Sequence, residues 1–488
     1  MTCASSVLWL QLNSVFPNSD TDSHITKSWD YYQILLSNDG LFSKVRRWYL
    51  FGTTFPPLPY ILSAGAYWVN GGFGVRAWLT GSVLIFWPLM IVYTYRVGAL
   101  LWNREAGLLA ATLVSTSPFV LLIGRKFKPE VPQAALAVMC LYYLFKSDRF
   151  AHRWPSWIFG VCMGMALMIK WTMPVYIGGA LIHVGALTLA RSRREGWLWI
   201  PLMLVSGAFT VYAIAYTWRT TEINEKTGEG FGTLLASAAL GAAAIFIVCG
   251  LLIKLFPQDA PEPWLRLLQS VALAWAIAGP WYITHMHTLQ GYVPDVSYVA
   301  GTTEGDPTSD TLSGWLFYPL AIRYIQFSAF YYMFLIGMAW GIICALRGDD
   351  RAMPLVLTAI VFYAMFSAIN NKEARYVVPV MPILALLTVY WLPALGRGRW
   401  LVTAPLVAIC FVQLWGWSFV GPTYERVKFL YLSSDSVAAS AMSLPGRPVD
   451  GEPIVWRHLW DNDVIPLLGA RPQEGGWDDT TYKEDRGP

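Results

Sequence analysis

The sequence predicts an all-helical, polytopic membrane protein with about 12–13 transmembrane helices, each needing roughly 20 apolar residues. Three observations carry this. Of 488 residues, 55% are hydrophobic and only 14% charged, against roughly 25% charged in soluble domains. Apolar runs recur from residue 78 to residue 420, more than one soluble core needs. Short basic clusters separate every second run, the pattern that orients membrane proteins.

Spans are expected over 78–100, 107–123, 131–146, 156–170, 171–190, 197–218, 232–256, 267–284, 324–346, 353–369, 376–393 and 400–420. Before them, Val7 to Phe16 is too short to cross, and it reads as the end of a first helix that begins upstream. It has neither the basic start nor the cleavage site of a signal peptide. Residues 17–60 are polar with aromatics interspersed, and Leu58 to Asn70 reads as interfacial or as the start of the next span. Residues 1–420 form the membrane domain. The tail over 421–488, rich in Gly, Pro and Asp, reads as a small appendage on the outer side. No internal repeat of fixed period is visible.

The net charge of +4 is small for this length and gives no case for nucleic acid. Five of the six cysteines lie inside apolar runs and none forms a CxxC pair, so neither a disulfide framework nor a zinc site is expected. Arg104 with Glu105, residues 146–153, 191–195, 254–266, 347–351 and 397–399 form the short basic loops that the positive-inside rule assigns to the cytoplasm. The alternate loops then face outward: 20–58, 124–130, the break at Lys170, 219–231, 285–323 and 370–375. A bacterial inner or plasma membrane suits this pattern.

The outward ends carry ionisable groups that a simple anchor does not need. They are Asp20, Asp22 and His24; Arg125, Lys126, Lys128 and Glu130; Lys170; and Lys372, Glu373, Arg375 and Tyr376. Charges at membrane depth are costly and tend to line polar, functional sites. Several cations beside a few carboxylates suit an anionic substrate, since Arg and Lys bind phosphate and a carboxylate serves as a general base. A lipid-borne phosphate carrying a sugar meets these demands. Structural readings stand beside these. Asp20 and Asp22 also fit helix N-caps. Lys126 and Lys128 read as interfacial snorkelling residues. Glu130, two before Pro132, fits a helix first turn. Trp171, Trp281 and Trp315 read as interface-belt aromatics. His285 and His287 read as a polar loop start rather than metal ligands. No metal site is read and no cofactor is indicated, with a divalent metal left open.

Several segments resemble the GT-C superfamily, specifically family 39 type glycosyltransferases related to protein mannosyltransferases and the lipid A aminoarabinose transferase. They are Asp20-Thr21-Asp22-Ser23-His24, Phe55-Pro56-Pro57-Leu58-Pro59-Tyr60, Ala110 to Pro118 followed by Arg125 and Glu130, Gly160 to Lys170, Pro280-Trp281-Tyr282, and KEARYVVPVMP over Lys372 to Pro382. The last is the most specific. The resemblance implies a GT-C fold whose extracytoplasmic first loop carries the active site. It also implies inverting transfer from a polyprenyl-phosphate sugar to an acceptor glycan, lipid or protein. Carried over by position, Asp20 is the general base and Glu130 the second acid, with Arg125, Lys170, Lys372, Arg375 and Tyr376 as lipid-phosphate binders. Two departures stand out. Thr54 and Phe55 replace the Glu-Lys pair of the lipid A enzymes, and Thr21 follows Asp20 where an adjacent acid is usual, which leaves Asp22 as the alternative base. A transporter or flippase for a lipid-linked or anionic substrate is the competing class; it favours internal repeats and charges at the bilayer midplane.

Overall fold

A computed structural model gives the fold and describes residues 1–12, 21–51, 54–195, 262–303 and 306–419, with isolated positions elsewhere. The chain is helical almost throughout. Helices α1 (Thr2–Leu12), α2 (Thr21–Leu36), α3 (Leu41–Leu50) and α4 (Leu58–Val69) precede the long α5 (Val75–Leu101). Then come α6 (Arg104–Ser115), α7 (Pro118–Gly124), α8 (Glu130–Lys146), α9 (Arg153–Leu167) and α10 (Met173–Glu195). Beyond them lie α11 (Glu262–Thr284), α12 (Met286–Pro294), α13 (Leu312–Ala321), α14 (Ser328–Leu346), α15 (Met353–Ser367), α16 (Met381–Val389) and α17 (Trp400–Phe419). Strand pairing among the described residues is confined to Pro448–Val449 against Glu452–Pro453.

The protein is an integral membrane protein. Among the described residues, Ala77–Leu101, Glu262–Thr284, Ala329–Leu346 and Leu392–Trp415 are long and apolar enough to cross a membrane. The expected spans over 197–218 and 232–256 lie outside the described residues, as does nearly all of the 421–488 tail.

Several expected spans are broken, the first of them at a proline. The run 107–123 divides into α6 and α7 because Pro118 disfavours a helical Ser117, which is extended at φ −61°, ψ 126°. The run 376–393 begins as a 3-10 turn, Ala374–Val380, before α16 takes over. The run 324–346 starts with a π-helical turn, Ile322–Gln326, and resumes helix at Ser328. Leu58 to Asn70 is not the beginning of α5; Leu58–Val69 forms a separate helix, and the chain turns after it at Gly71, whose φ is 78°. Trp281 is not a belt residue: it is fully buried and stacks on His285 at 4.6 Å.

The loops sort into two groups at opposite ends of α5, which at about 1.5 Å per residue is roughly 40 Å long. At its start Trp78 meets Phe127, 5.6 Å between ring centroids. At its end the Leu101 carbonyl accepts a hydrogen bond from Arg351 at 3.2 Å. Arg399 and Glu105 pair at 3.1 Å, and His183 meets Asp350 at 3.3 Å. Loops 104–105, 347–351 and 397–399, three of those read as cytoplasmic, thus gather at the α5 end, whereas 124–130, 168–172 and 370–376 meet elsewhere.

Small residues set the close helix approaches, as is usual where bilayer-embedded helices pack. Gly160 and Gly164 of α9 lie on α11: a Cβ on Gly160 would stand 2.4 Å from the Ser270 carbonyl oxygen, and one on Gly164 3.0 Å from that of Ala274. The Gly160 to Lys170 segment therefore serves first as a helix seam. Gly160→Val is expected to cost about 1–3 kcal/mol through overpacking, read as a lowered melting temperature in detergent. Gly65→Ala, with open space around its site, is expected to leave that temperature unchanged or slightly raised.

Candidate functional site

The buried charges converge at the α5 start. Glu130 is the first residue of α8, where the helix dipole favours an acid. It is 1% exposed. Lys170 lies not on a helix but in the connector 168–172 between α9 and α10, and is 6% exposed. Its Nζ donates to Glu130 Oε1 at 2.8 Å. Arg375, from the turn before α16, brings its Nε to 3.7 Å from the same oxygen and pairs with Glu373. Tyr376 completes the group: Lys170 Nζ sits 5.0 Å from its ring centroid, and its hydroxyl donates to Asn371 Oδ1 at 3.2 Å.

The connector is held in place from several sides. Leu58 N–H donates to the Met168 carbonyl at 3.1 Å, and the Tyr282 hydroxyl to the Leu167 carbonyl at 2.9 Å. One turn past Glu130, Gln133 Nε2 donates to Thr172 Oγ1 at 3.0 Å. The Tyr176 hydroxyl donates to the Tyr376 carbonyl at 3.1 Å. Three motifs distant in sequence, PPLPY, Gly160 to Lys170 and KEARY, thereby become one locus.

Beside this locus stands His24 of α2. Its Nδ1 shares a hydrogen bond of 2.7 Å with the Tyr60 hydroxyl, and its ring stacks on Phe127 at 6.0 Å. Burial, reinforced by the positive charge of Lys128, pushes the imidazole down to about 3, so it is neutral at ordinary pH. Lys128 is buried and acts electrostatically on both His24 and Glu130. It is therefore not the snorkelling surface residue expected. Among the described residues, three cations, Lys128, Lys170 and Arg375, gather with two carboxylates, Glu130 and Glu373. Such an arrangement favours an anion.

Not every expected residue joins. Lys372 turns away: its Nζ donates to the Phe366, Ser367 and Ile369 carbonyls at 3.0, 2.6 and 2.5 Å, capping α15. Arg125 is buried against α1, donating to Ser6 Oγ from Nε at 3.2 Å and from Nη2 at 3.1 Å. Asp20 lies outside the described residues. Asp22 is within α2, which begins at Thr21, but its side chain is outside the described residues too, as is that of His287. His285 is a buried residue between the Trp281 and Phe51 carbonyls, at 3.0 and 3.2 Å, rather than a polar loop start. Gln133 was missed, and Glu373, named among the outward charges, was given no role. The spacing of Gln133 three residues after Glu130 on one helix was the available signal. Among the described residues no three His, Cys, Asp or Glu side chains gather as a metal-binding group.

Residues 56–219, which supply Tyr60, Lys128, Glu130, Gln133 and Lys170, match the family model described as dolichyl-phosphate-mannose-protein mannosyltransferase. Among solved structures, the chain is similar to the Archaeoglobus fulgidus oligosaccharyltransferase in its apo form, at 14% identity and TM-score 0.40, covering 92% of this chain and 56% of that one. The same enzyme in complex with Zn and sulfate gives 14%, 0.41, 97% and 62%. ArnT from Cupriavidus metallidurans bound to undecaprenyl phosphate gives 13%, 0.32, 80% and 77%. The chain thus spans between half and two thirds of the archaeal chains' length. No curated protein sequence matches it.

Two predictions follow from this geometry. Glu130→Gln leaves the buried Lys170 beside a neutral group, with the partly buried Arg375 next to it, and is expected to cost about 3–5 kcal/mol. Glu130→Gln with Lys170→Met is expected to recover part of that loss, giving a favourable coupling in a double-mutant cycle. Folded His24 takes its proton near pH 3 and an unfolded histidine near about 6.5. The His24 contribution is complete above pH 6.5 and lost as pH falls towards 3. The melting temperature is expected to drop over that window, and His24→Gln to flatten the drop.

Proposed function

We propose that the protein transfers one sugar from a polyprenyl-phosphate donor to a hydroxyl or amine of an acceptor glycan, lipid or protein, at the outer face of a bacterial inner or plasma membrane. The observation that carries this reading is the largely buried, cation-rich cluster of Lys128, Glu130, Lys170 and Arg375, three members of which come from the stretch that matches the mannosyltransferase family model. Lys170 and Arg375 hold the lipid phosphate, and Tyr376 bounds their site. Glu130, already shared between two cations, acts as a positioning residue that keeps both in place before the donor arrives.

The step is a single displacement with inversion. Asp20, or Asp22 in its stead, takes the acceptor proton as the acceptor oxygen or nitrogen bonds to the anomeric carbon. The bond from that carbon to the phosphate oxygen breaks, and the lipid phosphate leaves with the electron pair. Its growing charge is stabilised by the fixed cations, which cost no reorganisation at that moment. The outward assignment rests on the basic loops 104–105, 347–351 and 397–399 gathering at the far end of α5.

The test is incubation of membranes holding the full chain with labelled polyprenyl-phosphate sugars and envelope acceptors. Transfer with release of lipid phosphate is expected. Asp20→Asn should lower it on the order of 10²–10⁴-fold, with Asp22→Asn deciding between the two acids. Labelled lipid that crosses the bilayer without any release would mark a transporter instead.

A further inference from the structure

Helix α3, LFSKVRRWYL, has no part in the ion cluster and none of its residues is fully buried. It is fastened on one side. The Trp48 carbonyl accepts from the Tyr31 hydroxyl at 3.0 Å, and the Tyr49 hydroxyl donates to the Ile277 carbonyl at 2.9 Å. Its following residue, Phe51, faces His285 at 3.2 Å through its carbonyl. These ties place α3 at the bundle end opposite the short basic loops, yet it carries three basic residues within about one turn. A basic cluster there runs against the positive-inside pattern.

The three cations differ in how they are engaged. Lys44 Nζ donates to the Leu35 carbonyl at 2.6 Å, and Arg47 pairs with Asp39 at 2.6 Å in solvent. Arg46 Nε is buried with no hydrogen-bond partner, and among the described residues no carboxylate pairs with its guanidinium. At the start of the same helix Leu41 and Phe42 are 76% and 62% exposed. The adjoining α2 presents Trp29, exposed and edge-on to Phe73 at 5.0 Å.

We propose that α3 binds the anionic headgroup of a membrane lipid. Leu41 and Phe42 enter the acyl boundary, and Arg46, with the free side of Arg47, takes the headgroup phosphate. An amphipathic helix with a basic face lies in the membrane interface in this way. A guanidinium fork suits phosphate geometry. A soluble anion would leave the two exposed apolar residues without a role, whereas a lipid uses both halves of the helix. The site is separate from the sugar-transfer cluster, so it stands or falls without it.

The test is lipid retention by the full chain in nanodiscs of phosphatidylcholine with a rising fraction of phosphatidylglycerol, read by native mass spectrometry. Preferential retention of phosphatidylglycerol is expected, weakening as salt rises. Arg46→Gln and Arg47→Gln should each lower it about fivefold. Arg46→Lys, which keeps the charge without the fork, should fall between Arg46→Gln and the unaltered protein. Arg397→Gln, at the other end of the bundle, should not change it. Unchanged retention in the Arg46→Gln/Arg47→Gln double variant would overturn the proposal. So would displacement of the lipid by inorganic phosphate at matching concentration, which would mark a site for free anions.

Discussion

A carboxylate that is 1% exposed, with an ammonium 2.8 Å away and a guanidinium 3.7 Å away, constrains everything around it. None of these charges tolerates burial alone, because desolvation of an unmatched ion costs several kcal/mol. Glu130, Lys170 and Arg375 must therefore arrive together, although 40 and 245 residues separate Glu130 from the two cations in sequence. The α8 start, the connector 168–172 and the turn before α16 have a common destination, and the helices behind them are placed accordingly. The same mutual neutralisation leaves Glu130 poorly suited to take a proton. A general base is better sought in the first loop.

Convergence of that kind demands irregular backbone near membrane depth. Non-helical segments are tolerated there only where protein or water satisfies their polar groups. Each break here has such partners. The Met168 carbonyl receives the Leu58 N–H. Lys372 closes the carbonyls left by the end of α15. Ser117, extended ahead of Pro118, donates its hydroxyl to Gln326 at 2.8 Å. Close seams such as Gly160 and Gly164 on α11 hold the rest rigid. Breaks supply the chemistry-bearing side chains, and seams fix where they point.

Much of this was legible beforehand. The membrane class followed from composition and from apolar runs, because transfer into a bilayer depends on side chains alone. The meeting of loops 104–105, 347–351 and 397–399 at one end of α5 agrees with the alternation of basic clusters. Glu130 as a first-turn acid and Lys170 as a break were readable from neighbouring Pro132 and from the interrupted apolar run. The broken spans were less so: a hydropathy run hides a 3-10 turn or an extended serine, because both are as apolar as helix.

Side-chain direction was beyond the sequence's reach. Lys372 and Arg375 sit three residues apart in one motif, yet one caps a helix and the other meets Glu130. Arg125 and Glu130 share a loop, yet Arg125 is turned to Ser6. His24 and Tyr60 belong to separate motifs and share one hydrogen bond. Composition, order and periodicity determined what kind of molecule this is, since they are properties of the chain. Which charges face each other was decided only by tertiary packing, since a buried ion is stable solely where the fold delivers its partner.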